Sequence, residues 1–258
     1  MQARDWTAER PRILAAAQEY AALLPGFPFR NTNGMAPDAG FQLWYWVREV
    51  APDLVVESGV WRGFSTWVID RAAPQARLIA LDPIFALGHC LDPARIGEVW
   101  RAPRAACSGT DFSCCGFEFM VKPPNALVLF DDHQNKLHRL QQAAAAGFRH
   151  LVFDDNLPGR ATHLTFPRYL QDPRIAAWME EVLEVYEVFP PLWDTMAGMA
   201  NEVFVPGLNL PRDPGLAALD TTAAQRSGYS WLTYCRVRAD RLGTALPPLP
   251  PLASPRAG

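Results

Sequence analysis

The most informative pattern of the chain joins an apolar strand, an acid, a turn with two glycines and the start of a helix. It spans residues 55–66 and contains Glu57, Gly59 and Gly63. Turns between a strand and a helix bind nucleotide-type cofactors in α/β sheets. Here the spacing is G-x-x-x-G, and the bulky side chains of Trp61 and Arg62 stand where a diphosphate would approach the backbone. We therefore interpret it as a cofactor turn that does not hold a diphosphate.

A second acid follows the next apolar run, at a spacing that suits a ribose. Asp82 comes 23 residues after Gly59, and a carboxylate there can accept both ribose hydroxyls. A ribose without a diphosphate favours S-adenosylmethionine (SAM), whose amino-acid end needs backbone groups and a carboxylate such as Glu57. The alternative is an ordinary strand-to-helix turn, with a helix cap at Ser65 or Thr66.

Two further polar clusters end later apolar runs. Asp131-Asp132-His133 follows one of them, and Asp154-Asp155-Asn156 follows the next. Because adjacent strands lie ~4.8 Å apart, Asp132, Asp155 and Asn156 can converge on one ion, and their oxygens suit Mg²⁺. The ion would help a bound substrate hydroxyl to lose its proton. The alternative is that these acids cap the elements that follow them.

The candidate proton acceptor is Lys136, or else His133 or His138, if metal and burial lower its pKa. His133 is alternatively a residue that stacks on adenine or packs in the interior. Asp111 lies in an irregular segment, residues 88–119, that is expected to contain a weak strand and to close on the adenine. Its carboxylate either accepts the adenine amino group or caps a turn.

Composition places the chain among ordinary globular proteins. With 258 residues, 49% hydrophobic residues and a net charge of −3, it predicts one large α/β domain with no attraction to nucleic acid. Neither a membrane span nor an apolar leader is visible, so we expect a cytoplasmic protein. The five cysteines lack the spacing of a zinc site or a disulfide framework and are expected to be reduced thiols.

Apolar runs alternate with helical stretches along the chain, which predicts parallel strands joined by crossover helices. The predicted strands are 54–57, 78–82, 126–130, 150–153, 185–189 and 230–237, and the predicted helices are 7–24, 38–49 and 134–147. We divide the chain into an N-terminal helix and cap loop (1–36), a central domain (37–245) with a substrate lid at 194–227, and a proline-rich tail (246–258) that is extended or disordered. All the polar clusters then share one rim of the sheet.

From Leu54 to Asn156 the sequence resembles class I SAM-dependent O-methyltransferases, in particular the metal-dependent branch that includes the catechol and macrocin-type enzymes. The residues that carry the resemblance are Glu57, Gly59, Gly63 and Ser65 of the first motif, then Asp82, Asp132, Asp155 and Asn156. It also resembles proteins called cephalosporin hydroxylase-like. The resemblance implies a Rossmann-like class I methyltransferase fold, in which helices cover both faces of a mostly parallel seven-stranded sheet.

The resemblance also implies roles for single residues. The cofactor-binding set is Glu57, Gly59, Gly63, Ser65, Asp82, Asp111, Asp132 and His133, and the metal set is Asp132, Asp155 and Asn156. The catalytic residues would be Lys136 and His133. The catalytic lysine of the family stands three residues after the first metal-binding aspartate; that place is Asn135 here, with Lys136 one residue further.

These patterns predict a SAM-dependent O-methyltransferase, assisted by Mg²⁺, whose partner is a small hydroxylated molecule such as a sugar, polyketide or phenol. A homo-oligomer is compatible with the sequence. Two other functions stay open at this point. One is an NAD-dependent oxidoreductase, which Trp61 and Arg62 disfavour, and the other is a non-catalytic binding or scaffold protein of the same fold, whose proline-rich tail docks on another protein.

Overall fold

A computed structural model describes residues 4–31, 34–86, 99–156, 166–193, 206–220 and 231–251. The strands are β1 (Leu54–Ser58), β2 (Arg77–Leu81), β3 (Ala105–Ser108), β4 (Leu127–Phe130), β5 (His150–Asn156), β6 (Leu183–Val188) and β7 (Trp231–Val237). The helices are α1 (Trp6–Leu23), α2 (Pro37–Val50), α3 (Phe64–Ala72), α4 (Lys136–Ala145), α5 (Phe166–Tyr169) and α6 (Pro173–Val182). The helices and strands predicted from periodicity are therefore confirmed, with boundaries that move by a few residues.

All seven strands belong to one sheet, in the order β3-β2-β1-β4-β5-β7-β6. The five strands from β3 to β5 pair in parallel, whereas β7 runs antiparallel to both of its neighbours. This is the predicted Rossmann-like fold of mostly parallel strands. The weak strand expected between residues 88 and 119 is β3.

Apolar side chains cover both faces of the sheet because successive residues of a strand point to opposite sides. Val55, Leu129 and Val152 pack with α1, α2 and α3 in one core. On the opposite face, Val56 and Val128 pack with α4, α5 and α6 in the second core. A sheet buried on both sides explains why these strands read as continuous apolar runs.

The register brings the carboxyl ends of the central strands level with one another. Ser58 of β1 pairs with Leu81 of β2 on one side and with Phe130 of β4 on the other. The next residues in the chain are Gly59, Asp82 and Asp131, so three polar segments meet at one rim.

Of the predicted lid, only residues 206–220 are described; residues 194–205 and 221–227 lie outside the described part of the chain. A short 3-10 helix, Pro214–Leu219, buries Leu216 and Leu219. The described start of the proline-rich tail lies along α6, where the Trp178 Nε1 donates to the carbonyl of Pro247 at 2.9 Å. Within the described ranges, no helix has the length and apolarity needed to cross a membrane.

Candidate functional site

The turn between β1 and α3 has the left-handed backbone that its glycines allow. Gly59 has φ +95° and Gly63 has φ +85°. A Cβ at Gly59 would overlap with the backbone carbonyl of Asp131, at the end of β4. A Cβ at Gly63 would overlap with the carbonyl of Trp100. Both positions require glycine because two other segments approach the turn at close range.

Asp82 holds this turn in place. Its Oδ2 accepts the backbone N–H groups of Val60 at 2.7 Å and Trp61 at 2.8 Å, and its Oδ1 accepts the N–H of Ile84 at 2.8 Å. A carboxylate offers about four acceptor positions, so these bonds leave about one for a ligand. Asp82 is partly exposed at the rim, and its contact with a ribose stays a prediction.

Glu57 lies beneath the turn and is fully buried. Its two carboxylate oxygens accept the Ser65 hydroxyl at 2.5 Å and the Thr66 hydroxyl at 2.6 Å. Burial raises the pKa of Glu57 to about 7, against the opposing effect of these two hydrogen bonds. Glu57 therefore supports the turn from inside the fold.

The alternative of a helix cap at Ser65 or Thr66 is wrong. The N-cap of α3 is Gly63, which makes no side-chain cap hydrogen bond. Both hydroxyls instead bind Glu57. The binding of SAM by Glu57, Gly59, Gly63 and Ser65 remains a prediction.

Asp132, which follows β4, binds groups from three elements. Its Oδ2 accepts the Ser58 hydroxyl at 2.7 Å and lies 2.8 Å from the Nη2 of Arg139. Its Oδ1 accepts the N–H of Gln134 at 3.2 Å. This carboxylate links the end of β1 to the first turns of α4.

The buried arginine of this cluster is a functional candidate that the sequence interpretation missed. Arg139 also binds Asp111, with its Nη2 2.6 Å from Oδ2 and its Nη1 3.1 Å from Oδ1. These bonds hold the pKa of Asp111 well below its usual range. Its position on the helix could have indicated this role, because Arg139 lies on the buried stripe of α4 with Lys136, Leu140 and Ala143.

Asp111 caps a turn, as one of the two alternatives predicted. Its carboxylate accepts the N–H of Ser113 at 2.9 Å at the start of a 3-10 helix. About half of the side chain stays exposed (49%), so the cap does not conflict with a ligand contact. Its contact with adenine remains a prediction.

The three candidate bases differ in burial. Lys136 is the first residue of α4 and is buried, whereas His133 and His138 are exposed. Asn135, at the place of the family's lysine, is the N-cap of α4, and its side chain accepts the N–H of His138 at 3.1 Å. The helix therefore begins at Lys136 and not one residue earlier. The assignment of Lys136 or His133 as the base remains a prediction.

One bulky residue at the rim has a strained backbone. Trp61 has φ +49°, a value that L-residues other than Asn, Asp and His seldom adopt. His133 has φ +58°, which histidine adopts more readily. The two residues follow β1 and β4, whose ends lie side by side. Strained residues cluster at binding and catalytic sites, so the position of Trp61 supports this rim as the functional site.

Only Asp132 of the three predicted Mg²⁺ ligands has a described side chain, so the metal set stays a prediction. Asp132 is already ion-paired with Arg139, and the described residues contain no group of three or more His, Cys, Asp or Glu side chains that could hold a metal. The side chains of Asp155 and Asn156 lie outside the described part of the structure. Their backbone ends β5, where the pairing with β7 shifts between Phe153 and Asn156.

A cavity of about 360 Å³ lies at the opposite end of the strands. It is lined by residues that include Arg4, His150, Tyr234 and Arg236. His150 begins β5, and burial together with the adjacent arginines lowers its pKa to about 4, so the ring is neutral near pH 7. This cavity is distant from the Gly59 turn and is not part of the candidate site.

Comparison with known proteins finds solved structures of low identity to this chain. No family model matches the sequence, and no curated protein matches it significantly. Cofactor-bound Rv0187 from MTB is 16% identical and aligns over 88% of this chain and 90% of its own, with a TM-score of 0.44. The O-methyltransferase from Bacillus cereus in complex with SAH is 14% identical over 87% of this chain and 90% of its own, with a TM-score of 0.42.

The apo-structure of CmcI is 17% identical, with a TM-score of 0.40. The match covers 58% of this chain and 64% of the CmcI chain, so this chain spans less than two thirds of that protein. The Rossmann-like fold itself is established by the strand order and pairing of the sheet.

Proposed function

We propose that this protein is a SAM-dependent O-methyltransferase that transfers a methyl group from SAM to a hydroxyl of a small molecule. The observation that carries the proposal is the position of Asp82. Its carboxylate follows β2 and binds the turn that follows β1, at the carboxyl edge of a mostly parallel sheet. Ligands of such sheets bind beyond this edge.

The residues of the rim fit the parts of SAM. The remaining acceptor position of Asp82 suits a ribose hydroxyl, and the exposed half of Asp111 suits the adenine amino group. Bound SAM supplies an electrophilic methyl group on a sulfonium. Asp111, Asp132 and Arg139 together carry one net negative charge, which favours a cationic cofactor over an anionic one.

A dinucleotide fits the turn poorly. Diphosphates bind where several backbone N–H groups point at the ligand. In this turn, the N–H of Gly59 donates to Leu81, that of Gly63 donates to Val60, and those of Val60 and Trp61 donate to Asp82. These four donors are used within the protein, which argues against the oxidoreductase alternative.

The acceptor would lie beyond β4 and β5, where Lys136 and His133 are the candidates for taking its proton. Lys136 is buried at the start of α4, and a lysine takes a proton only in its neutral form. Mg²⁺ enters no step of this proposal, because Asp132, the predicted ligand whose side chain is described, is ion-paired with Arg139.

Titration calorimetry with SAM, its demethylated product S-adenosylhomocysteine and NAD⁺ tests the proposal. We expect both adenosyl ligands to bind and NAD⁺ to give no heat of binding. Binding of NAD⁺ alone would favour the oxidoreductase, and the absence of binding for all three ligands would refute the proposal.

A further inference from the structure

A permanently charged side chain binds one of the residues to which the metal-dependent resemblance assigns a divalent ion. Arg139 is 4% exposed, and its Nη2 is 2.8 Å from Oδ2 of Asp132. The same guanidinium makes two contacts with Asp111, at 2.6 and 3.1 Å. One arginine therefore links the acid after β4 to the acid after β3.

The surroundings of the guanidinium keep it in this position. The rings of Phe112 and Phe130 have their centroids 5.9 and 5.8 Å from the guanidinium carbon. Apolar walls reduce screening by water, which strengthens the attraction between the guanidinium and its two carboxylates. Because arginine does not lose its proton in proteins, this positive charge is permanent.

The charges of the cluster oppose the binding of a second cation. A divalent ion would add a second positive group to a carboxylate that Arg139 already binds. That cation would share Asp132 with Arg139 and would also lie at the rim proposed for a sulfonium. Like charges at such short range repel strongly where water is excluded.

We propose that the guanidinium of Arg139 replaces a divalent ion at Asp132. This inference rests on the proposed methyltransferase function and narrows it. Arg139 acts as a positioning residue that fixes the orientation of Asp132 and Asp111. Because no ion at Asp132 has to be chelated, the acceptor does not need two adjacent hydroxyls, and a molecule with a single hydroxyl is sufficient.

Binding of Mn²⁺, followed by electron paramagnetic resonance, tests the inference without an acceptor substrate. We compare the wild type with Asp132→Asn and with Arg139→Gln. We expect Asp132→Asn to bind Mn²⁺ as the wild type does, because Asp132 holds no ion. Arg139→Gln frees two carboxylates and is expected to bind Mn²⁺ at least about tenfold more tightly than the wild type.

Two results would overturn the inference. One is a wild-type Mn²⁺ site that Asp132→Asn weakens by about tenfold or more. The other is a folded Arg139→Gln variant with no gain in Mn²⁺ affinity. If Arg139→Gln does not fold, the comparison of Asp132→Asn with the wild type still shows whether Asp132 holds a divalent ion. Titration with S-adenosylhomocysteine on the same samples tests the proposed function separately, because that ligand needs no metal in this account.

Discussion

At the scale of single residues, the site depends on polar groups that bind one another before any ligand arrives. Asp82 binds the backbone of the Gly59 turn, Glu57 binds two hydroxyls beneath it, and Asp132 binds Arg139. Fixed groups of this kind hold a binding site in one geometry and reduce the ordering that binding requires.

The buried carboxyl of Glu57 makes the stability of the fold depend on pH. Its pKa is raised from 4.5 to about 7, chiefly by burial. The folded protein keeps the proton that the unfolded chain releases near pH 4.5, so this contribution to stability is present at low pH and is lost as the pH rises to about 7. Relative to Glu57→Gln, we expect the wild type to lose about 3 kcal/mol of unfolding free energy over this range.

Urea denaturation of both proteins at pH 5, 6, 7 and 8 measures the difference. A constant difference between them would mean that the carboxyl of Glu57 titrates alike in the folded and unfolded states. A difference that grows in favour of the wild type would contradict the raised pKa.

The glycines of the chain provide a matched test of the close approach at the turn. Gly59 and Gly147 have similar dihedral angles, φ +95° and +84°, but only Gly59 has a backbone carbonyl in the space of a Cβ. We expect Gly147→Ala to cost about 1–2 kcal/mol from backbone strain alone. Gly59→Ala should cost at least about 3 kcal/mol because strain and overlap add. Equal losses in thermal or urea unfolding would show that the contact with Asp131 is not tight.

A residue's role could be predicted from sequence when it followed from the neighbouring strand. It could not be predicted when it depended on partners elsewhere in the chain. The positions of Asp82 and Asp132 were predictable because Asp82 directly follows one apolar strand and Asp132 comes two residues after another. The partners of Ser65 and Thr66 were not, since local sequence offers both a helix cap and a bond across the turn. Arg139 was missed because its partners lie 7 and 28 positions away, and its role appears only when β3 and β4 are placed in one sheet.

At the scale of the elements, the site is formed by register. The level ends of β1, β2 and β4 bring together residues that are more than 70 positions apart, as in the hydrogen bond from Ser58 to Asp132. The turn after β1 has its conformation because a residue beyond β2 accepts its N–H groups. The conformation of the turn after β1 therefore depends on the position of Asp82 at the end of β2.

A pair of aspartates tests the role of Asp82 in the turn. Asp5 and Asp82 both accept two successive backbone N–H groups, Asp5 at the exposed start of α1 and Asp82 at the rim. Asp82→Asn should destabilise the fold by about 1–3 kcal/mol, because it places an amide donor against N–H groups. It should also abolish the binding of S-adenosylhomocysteine in calorimetry. Asp5→Asn should change neither, since asparagine caps helices as well as aspartate does.

Full binding of S-adenosylhomocysteine by a folded Asp82→Asn variant would show that the ribose does not bind this carboxylate. Loss of binding in both variants would indicate a general effect of the substitution on the fold.

At the scale of the whole molecule, aromatic packing fixes the N-terminal helices on the sheet. Phe189, directly after β6, is fully buried, and its ring lies 5.1 Å from that of Trp6 and 5.2 Å from that of Tyr45, measured between centroids. These contacts lie on the face that carries α1, α2 and α3. Phe189 therefore belongs to the core of this face, whereas Arg139 of the candidate site packs against rings of the second core.

Substitutions of Phe189 test how much this aromatic packing stabilises the fold. Phe189→Ala should cost about 3–5 kcal/mol, as for other buried phenylalanines, whereas Phe189→Leu should cost less because it leaves a smaller cavity. Both variants, once folded, should keep the wild-type affinity for S-adenosylhomocysteine. Urea denaturation and calorimetry provide the two measurements, and a loss of affinity in the folded Phe189→Leu variant would show that packing and binding are coupled.

The central strands of the sheet were more predictable than the strand order at its β6 edge. Alternating apolar and helical runs predicted the central parallel strands, because β1 and β4 are buried on both faces. The insertion of β7 between β5 and β6 was not predictable in this way. Antiparallel pairing at that edge depends on where the chain returns after β6, and no local pattern encodes that path.

A crystal structure with S-adenosylhomocysteine would show whether the nucleoside binds at Asp82. We expect the nucleoside at the rim beside the Gly59 turn and the end of β2, with a ribose hydroxyl within hydrogen-bond distance of the Asp82 carboxylate. A rim that stays empty at saturating ligand, or a nucleoside bound away from Asp82, would contradict the proposed function.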